Sequence, residues 1–229
     1  MENKKILNSL KAFLEGEKLA GIEEIFIPSF SPPQQLKLLS QKVQQCQKCL
    51  LFKTKKHYVF GEGNQQAALL FVGEAPGRDE DLQGKPFIGR AGQLLTRIIE
   101  SIGLKREDIY IANILKCRPP GNRNPLPSEI ENCLPYLKKQ IEIIQPSVIC
   151  ALGKFAAQTL LNSDTPISQL RGKFYNYQGA KLIPTFHPAY LLRNPQGKIP
   201  VWEDMKKIKA KLRFYAASRK PQAASFKQD

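Results

Sequence analysis

The sequence predicts an α/β protein, a three-layer α/β/α sandwich built on a central, mainly parallel four-stranded sheet. Three observations carry this reading. Short apolar runs at 68–72 (ALLFV), 108–115 (DIYIANIL), 147–152 (SVICAL) and 181–186 (KLIPTF) alternate with segments of helical periodicity. The runs are apolar on both faces, as in a parallel sheet covered from above and below. Helical segments at 89–102, 128–144, 154–161 and 201–217 each follow a run, which gives a βαβ series.

Taken in order, residues 1–33 read as an N-terminal helical extension whose IPSFSPP end is a proline-marked linker. Residues 34–46 (QQLKLLSQKVQQC) space their apolar side chains helically and lead into Cys46. The first strand closes on Gly73, and the helix at 89–102 stops at Gly103. The helix at 128–144 opens with Ser-x-x-Glu, the pattern of a capping box. The last helix is basic and runs into a basic tail at 216–229, leaving 34–215 as one domain. No internal repeat is visible.

The 229 residues, 42% hydrophobic and 24% charged, suffice for one core with extensions. No run approaches the roughly 20 apolar residues of a membrane span. The opening MENKKILNSLKAFLEGEK lacks the apolar centre of a secretory signal. A cytoplasmic monomer without a membrane partner is expected, nucleoid-associated if bacterial. The net charge of +15, from 35 Lys+Arg against 20 Asp+Glu, favours a polyanionic partner. Nucleic acid comes first, an anionic membrane surface second.

Five cysteines without an export signal argue against a disulfide framework. Cys46-x2-Cys49 and Cys117-x15-Cys133 supply four thiolates, a set that suits a structural zinc or an iron–sulfur cluster. The second pair is too widely spaced for a zinc knuckle, which puts iron–sulfur ahead of zinc. Either group would have a structural role. Cys150, in mid-strand, is core.

Ligands of a parallel sheet gather outside the carboxyl ends of its strands. GEAPG, NILKCRPPGNRNP and FHPAYLLR all fall there. Glu74, followed by Asp79, Glu80 and Asp81, places carboxylates at the mouth of a basic protein, where one could orient a water or face a developing cation. His187 leaves the last strand at the same mouth, whereas His57 sits in a basic surface loop.

GEAPGRDED, GKPFIGRAGQLL, NILKCRPPGNRNP and HPAYLLR, in this order and with these cysteines, resemble the family 4 uracil-DNA glycosylases over about residues 40–215. The resemblance implies the uracil-DNA glycosylase fold and one structural 4Fe-4S cluster on Cys46, Cys49, Cys117 and Cys133. It implies a DNA-repair enzyme that flips uracil out of single- or double-stranded DNA and hydrolyses its N-glycosidic bond, leaving an abasic site. Phe87 would stack on the base, Asn113 would bond its polar edge, and Gly73 would complete the pocket. Glu80 would occupy the space beside uracil C5, where thymine carries a methyl group. Glu74 and Asn122 would share the positioning of water and the stabilisation of the sugar cation, and His187 would donate to uracil O2. Leu191 would wedge into the vacated stack. Arg90, Arg118, Arg123 and Arg193 would contact phosphates.

Three rival readings compete for the same residues. A relative that traps its product covalently would need a histidine in the CRPPGNRNPLPS loop, which has none. A non-catalytic iron–sulfur DNA-binding module tied to replication would not need Glu74, Asn113 and His187 together. A P-loop fails on glycine spacing.

Overall fold

In the computed structural model the described residues are 30–218, together with Ser9 and Ala12. The chain divides into two compact units, Met1–Ser31 and Pro32–Asp229. The sheet and the candidate site both lie in the second unit. The expected N-terminal extension lies almost wholly outside the described residues, as does the tail beyond Ser218.

Six strands are formed among the described residues: β1 (Glu62–Gly63), β2 (Leu69–Gly73), β3 (Tyr110–Asn113), β4 (Val148–Leu152), β5 (Tyr175–Tyr177) and β6 (Ala180–Thr185). They make one sheet in the order β1-β3-β2-β4-β6-β5. The four predicted strands are its parallel centre. The sheet is wider than the four strands expected, because β1 and β5 add antiparallel edges. Neither edge carried a signal: β1 is two residues long, and β5 is a half-exposed Tyr-Asn-Tyr.

The helices are α1 (Pro32–Gln44), α2 (Arg78–Gln83), α3 (Arg90–Ser101), α4 (Pro127–Ile144), α5 (Gly153–Leu161), α6 (Ile167–Leu170), α7 (Pro188–Arg193) and α8 (Lys198–Ser218). Strand alternation sends Leu70 and Val72 to one face, where they pack with Leu137, Ile141 and Ala156 of α4 and α5. Leu69 and Phe71 face the other way, toward Leu95, Ile99, Met205 and Ile208 of α3 and α8. Two apolar clusters on one sheet make the three layers. Cys150 is fully buried in the second, as expected of a core thiol.

Two polar anchors set the site. α4 begins one residue earlier than expected, and its cap is different: Glu129, not the predicted Ser-x-x-Glu pair, accepts the Leu126 N–H at 2.8 Å. At the end of β6, Thr185 donates to Asp204 Oδ2 at 2.6 Å, while Arg171 donates to Asp204 Oδ1 at 2.7 Å. That buried network ties α8 to the strand end two residues before His187. None of the described helices is long and apolar enough to cross a membrane.

Candidate active site

The connections leaving β2 and β4 run to opposite sides of the sheet, so a crevice opens beyond their carboxyl ends. A cleft of about 420 Å³ lies there, lined by Glu74, Gly77, Glu80, Phe87, Asn113, Asn122, Arg123, His187, Tyr190 and Arg193 among others. Side chains from four separate stretches of sequence thus converge as the strand-end rule required.

Asn113 ends β3 and is 1% exposed, yet neither its Oδ1 nor its Nδ2 has a partner among the described residues. A buried, unpaired amide costs about 1–3 kcal/mol, and this one borders the cleft. Beside it, Gly73 is packed so closely that an added Cβ would lie 2.3 Å from Asn113 Oδ1 and 2.6 Å from the Phe87 ring. The ring and the amide therefore form one continuous wall.

Phe87 adopts φ 50°, a left-handed backbone that a bulky residue takes only when its surroundings impose it. Arg106 supplies part of that restraint: it donates to the Phe87 carbonyl at 3.0 Å and also to the Pro86 carbonyl. Glu80 is equally fixed, its Oε1 accepting the N–H groups of Ile88 at 2.9 Å and Gly89 at 3.0 Å.

His187 caps α7, and its Nδ1 accepts the Ala189 N–H at 3.1 Å. Its ring stands 5.6 Å from that of Phe87, tilted by 34°. Burial, helped by the charge of Arg193, pushes its pKa down to about 4, so the imidazole is neutral at neutral pH. Burial has the opposite effect on the Glu74 carboxyl, raising it to about 7. Glu74 forms no side-chain hydrogen bond or ion pair among the described residues. Asn122, also at positive φ, accepts at Oδ1 from Arg118 Nε at 2.7 Å, which leaves its amide N–H groups free. Arg123 forms a two-pronged pair with Glu129, at 2.6 and 2.9 Å.

The predicted site residues mostly come together. Leu191 does not: it is fully buried in the apolar cluster beneath α7, so it cannot act as the wedge in this arrangement. Its neighbours Tyr190 and Leu192, 40% and 38% exposed, point outward instead. Arg90 lies outside the residues lining the cleft, and Arg118 reaches it only through Asn122. Arg106, Tyr190 and Gly92 went unforeseen. An added Cβ on Gly92 would lie 1.9 Å from the Phe87 carbonyl oxygen, so this glycine admits the unusual Phe87 backbone.

On the sheet face that carries Leu70 and Val72, Cys46, Cys49, Cys117 and Cys133 line a single cavity and form no disulfide. Burial raises the Cys49, Cys117 and Cys133 thiols, and the neighbouring cysteines reinforce the effect. Such a set gives up its protons when a soft cation neutralises it, so the donors fit a thiolate-bound metal group. Among the described residues, no three or more His, Cys, Asp or Glu side chains are arranged around one metal ion.

The cleft thus joins an aromatic wall, a buried amide unpaired among the described residues and a neutral imidazole, the setting of a base-handling enzyme of the α/β class. A family model described as the uracil DNA glycosylase superfamily matches residues 60–212. A type-4 uracil-DNA glycosylase of Archaeoglobus fulgidus is 51% identical over 176 residues, covering 73% of this chain and 88% of that protein. Type-4 enzymes of Saccharolobus solfataricus and Thermotoga maritima are 48% and 45% identical, covering 77% and 76% of this chain and 86% and 93% of their own lengths. The chain belongs to the uracil DNA glycosylase superfamily, in its type-4 family.

Proposed function

We propose that this chain removes uracil from DNA in base excision repair, hydrolysing the N-glycosidic bond of an extruded nucleotide and leaving an abasic site. The observation that carries this reading is the buried Asn113 amide, unpaired at both polar atoms. Uracil presents a donor, N3–H, next to an acceptor, O4, and so satisfies both ends of that amide at once. The adjoining Phe87 ring supplies the stacking face. The fixed Glu80 carboxylate stands beside C5 and leaves no space for thymine's methyl group.

Chemistry follows from the protonation states. Because His187 Nδ1 accepts from Ala189 N–H, the proton of the neutral ring sits on Nε2, which can donate to uracil O2. As the C1′–N1 bond breaks, its electron pair passes to the base, and this donor meets the charge that develops on O2. Water adds its oxygen to C1′ and releases a proton to the Glu74 carboxylate. Asn122, with Oδ1 held by Arg118, contributes N–H donors that hold the water or a sugar oxygen.

Arg193, at the rim, and Arg90, outside the cleft lining, contact phosphates. Arg118 and Arg123 add charge there while they hold Asn122 and Glu129. Tyr190 and Leu192 take the wedging role first expected of Leu191. Cys46, Cys49, Cys117 and Cys133 would hold one 4Fe-4S cluster, a structural staple between α1, α4 and the loop after β3. Four thiols lining one cavity, with the second pair too widely spaced in sequence for a zinc knuckle, favour a cluster over a single zinc.

The test is incubation with single- and double-stranded oligonucleotides containing one uracil, followed by alkali. A break at the uracil position is expected; intact strands would overturn the reading. For the cluster, iron and sulfide analysis should return about four of each per chain, with a broad brown absorbance. One zinc and a colourless protein would overturn that part.

A further inference from the structure

Lys116 is buried to 1% exposure and forms no ion pair among the described residues. Its ammonium donates to the Asn113 carbonyl at 2.9 Å and to Gln140 Oε1 at 2.6 Å. Gln140, fully buried, donates onward to the Phe60 carbonyl at 3.0 Å and to the Tyr110 hydroxyl at 3.4 Å. The Lys116 backbone N–H meanwhile lies 3.2 Å from Cys133 Sγ. Cys133 and Gln140 are two turns apart on one face of α4. One helix therefore supplies both a thiol of the cysteine cavity and the anchor of a buried lysine, and that lysine grips the strand end bearing Asn113.

Burying an ammonium without an anionic partner costs several kcal/mol, and an apolar side chain of similar volume would fill the space more cheaply. The directed N–H groups are therefore what this position uses. Asn113 needs such a restraint, because its own amide has no partner among the described residues to orient it.

We infer that Lys116, braced by Gln140, is a positioning residue for Asn113, holding the strand end so that the unpaired amide meets the base at the correct angle. The bridge also joins the cysteine cavity to the base-reading wall. The inference rests on the proposed reading that Asn113 binds uracil.

The test is binding of free uracil to the full chain by calorimetry, for wild type, Lys116→Met, Asn113→Ala and the double variant. Lys116→Met should weaken uracil binding about tenfold, leave the visible spectrum unchanged, and leave affinity for a uracil-free oligonucleotide unchanged. The double variant should bind no more weakly than Asn113→Ala, because the lysine acts only through the amide. Wild-type uracil affinity in Lys116→Met, multiplying losses in the double variant, or a lost spectrum would each overturn the inference. Should Lys116→Met fail to fold, Gln140→Met reads the same bridge: weaker uracil binding supports it and wild-type binding overturns it. Unchanged affinity in Asn113→Ala would instead overturn the base-reading assignment on which the inference stands.

Discussion

His187 accepts the backbone N–H of Ala189 through Nδ1 at 3.1 Å, and this one bond assigns the ring its tautomer. With the pKa pushed down to about 4, the ring stays neutral and keeps its only proton on Nε2 throughout the neutral range. Nitrogen NMR of the imidazole should show a protonated Nε2 and no titration between pH 5.5 and 8. His187→Ala should lose about 2.7–4 kcal/mol of transition-state stabilisation, or roughly 10²–10³-fold in kcat, with little change in KM. A ring that titrates near pH 6.5 would contradict the assignment.

Glu74 gives the pH dependence. Its carboxyl, raised to about 7, must be ionised to accept a proton from water, so excision should rise with pH and level off above about 7. His187 adds no second limb in that range. Stability runs the other way. The unfolded carboxyl ionises near its ordinary value, so the contribution of Glu74 is full below that value and is lost as pH rises through about 7. Glu74→Gln should therefore be nearly inactive yet melt higher than wild type at pH 8, with the difference gone at pH 4.5. A lower melting temperature at pH 8 would show that the carboxylate is stabilised by partners not identified among the described residues.

Adjacent leucines on α7 should separate packing from contact with DNA. Leu191→Ala empties a fully buried site and should cost about 2–5 kcal/mol of stability. Leu192→Ala, at a 38% exposed position, should leave the melting temperature within a degree or two but slow excision from double strands more than from single strands. Equal slowing on both substrates would remove Leu192 from the wedging role.

The cysteines divide in the same manner. If the proposed cluster is bound, Cys133→Ala should lose its iron and lower the melting temperature sharply, since ligand binding adds to folding stability. Cys150→Ala, in the opposite apolar cluster, should leave the iron content at the wild-type value and cost about 1 kcal/mol. Loss of iron from Cys150→Ala would mean that the ligand set has been drawn wrongly.

Much of this site was legible in the sequence, because a parallel sheet brings its strand ends to one edge. Glu74 and His187 each follow an apolar run, so their place at one sheet edge followed from topology, whereas Asn113, inside its run, was named by the family resemblance. The details that shape the cleft were not legible. The left-handed Phe87 depends on Arg106, 19 residues downstream, and on the missing Cβ of Gly92. No local pattern reports such a restraint. Leu191 misled for a related reason: on a helix of six residues, one position separates a buried side chain from an exposed one. Spacing after His187 cannot resolve that difference, and only the packing beneath α7 decides it.

Uracil held by Asn113 and His187 should leave as a free base. Chromatographic detection of uracil released in a single turnover reads that step itself. Wild type should release one uracil per oligonucleotide and no thymine from a matched control. Asn113→Ala and His187→Ala should each release it at least about thirtyfold more slowly, the loss expected for one hydrogen-bonding group of about 2 kcal/mol. Release at the wild-type rate from either variant would remove that residue from base recognition, and no uracil from wild type would overturn the proposed activity.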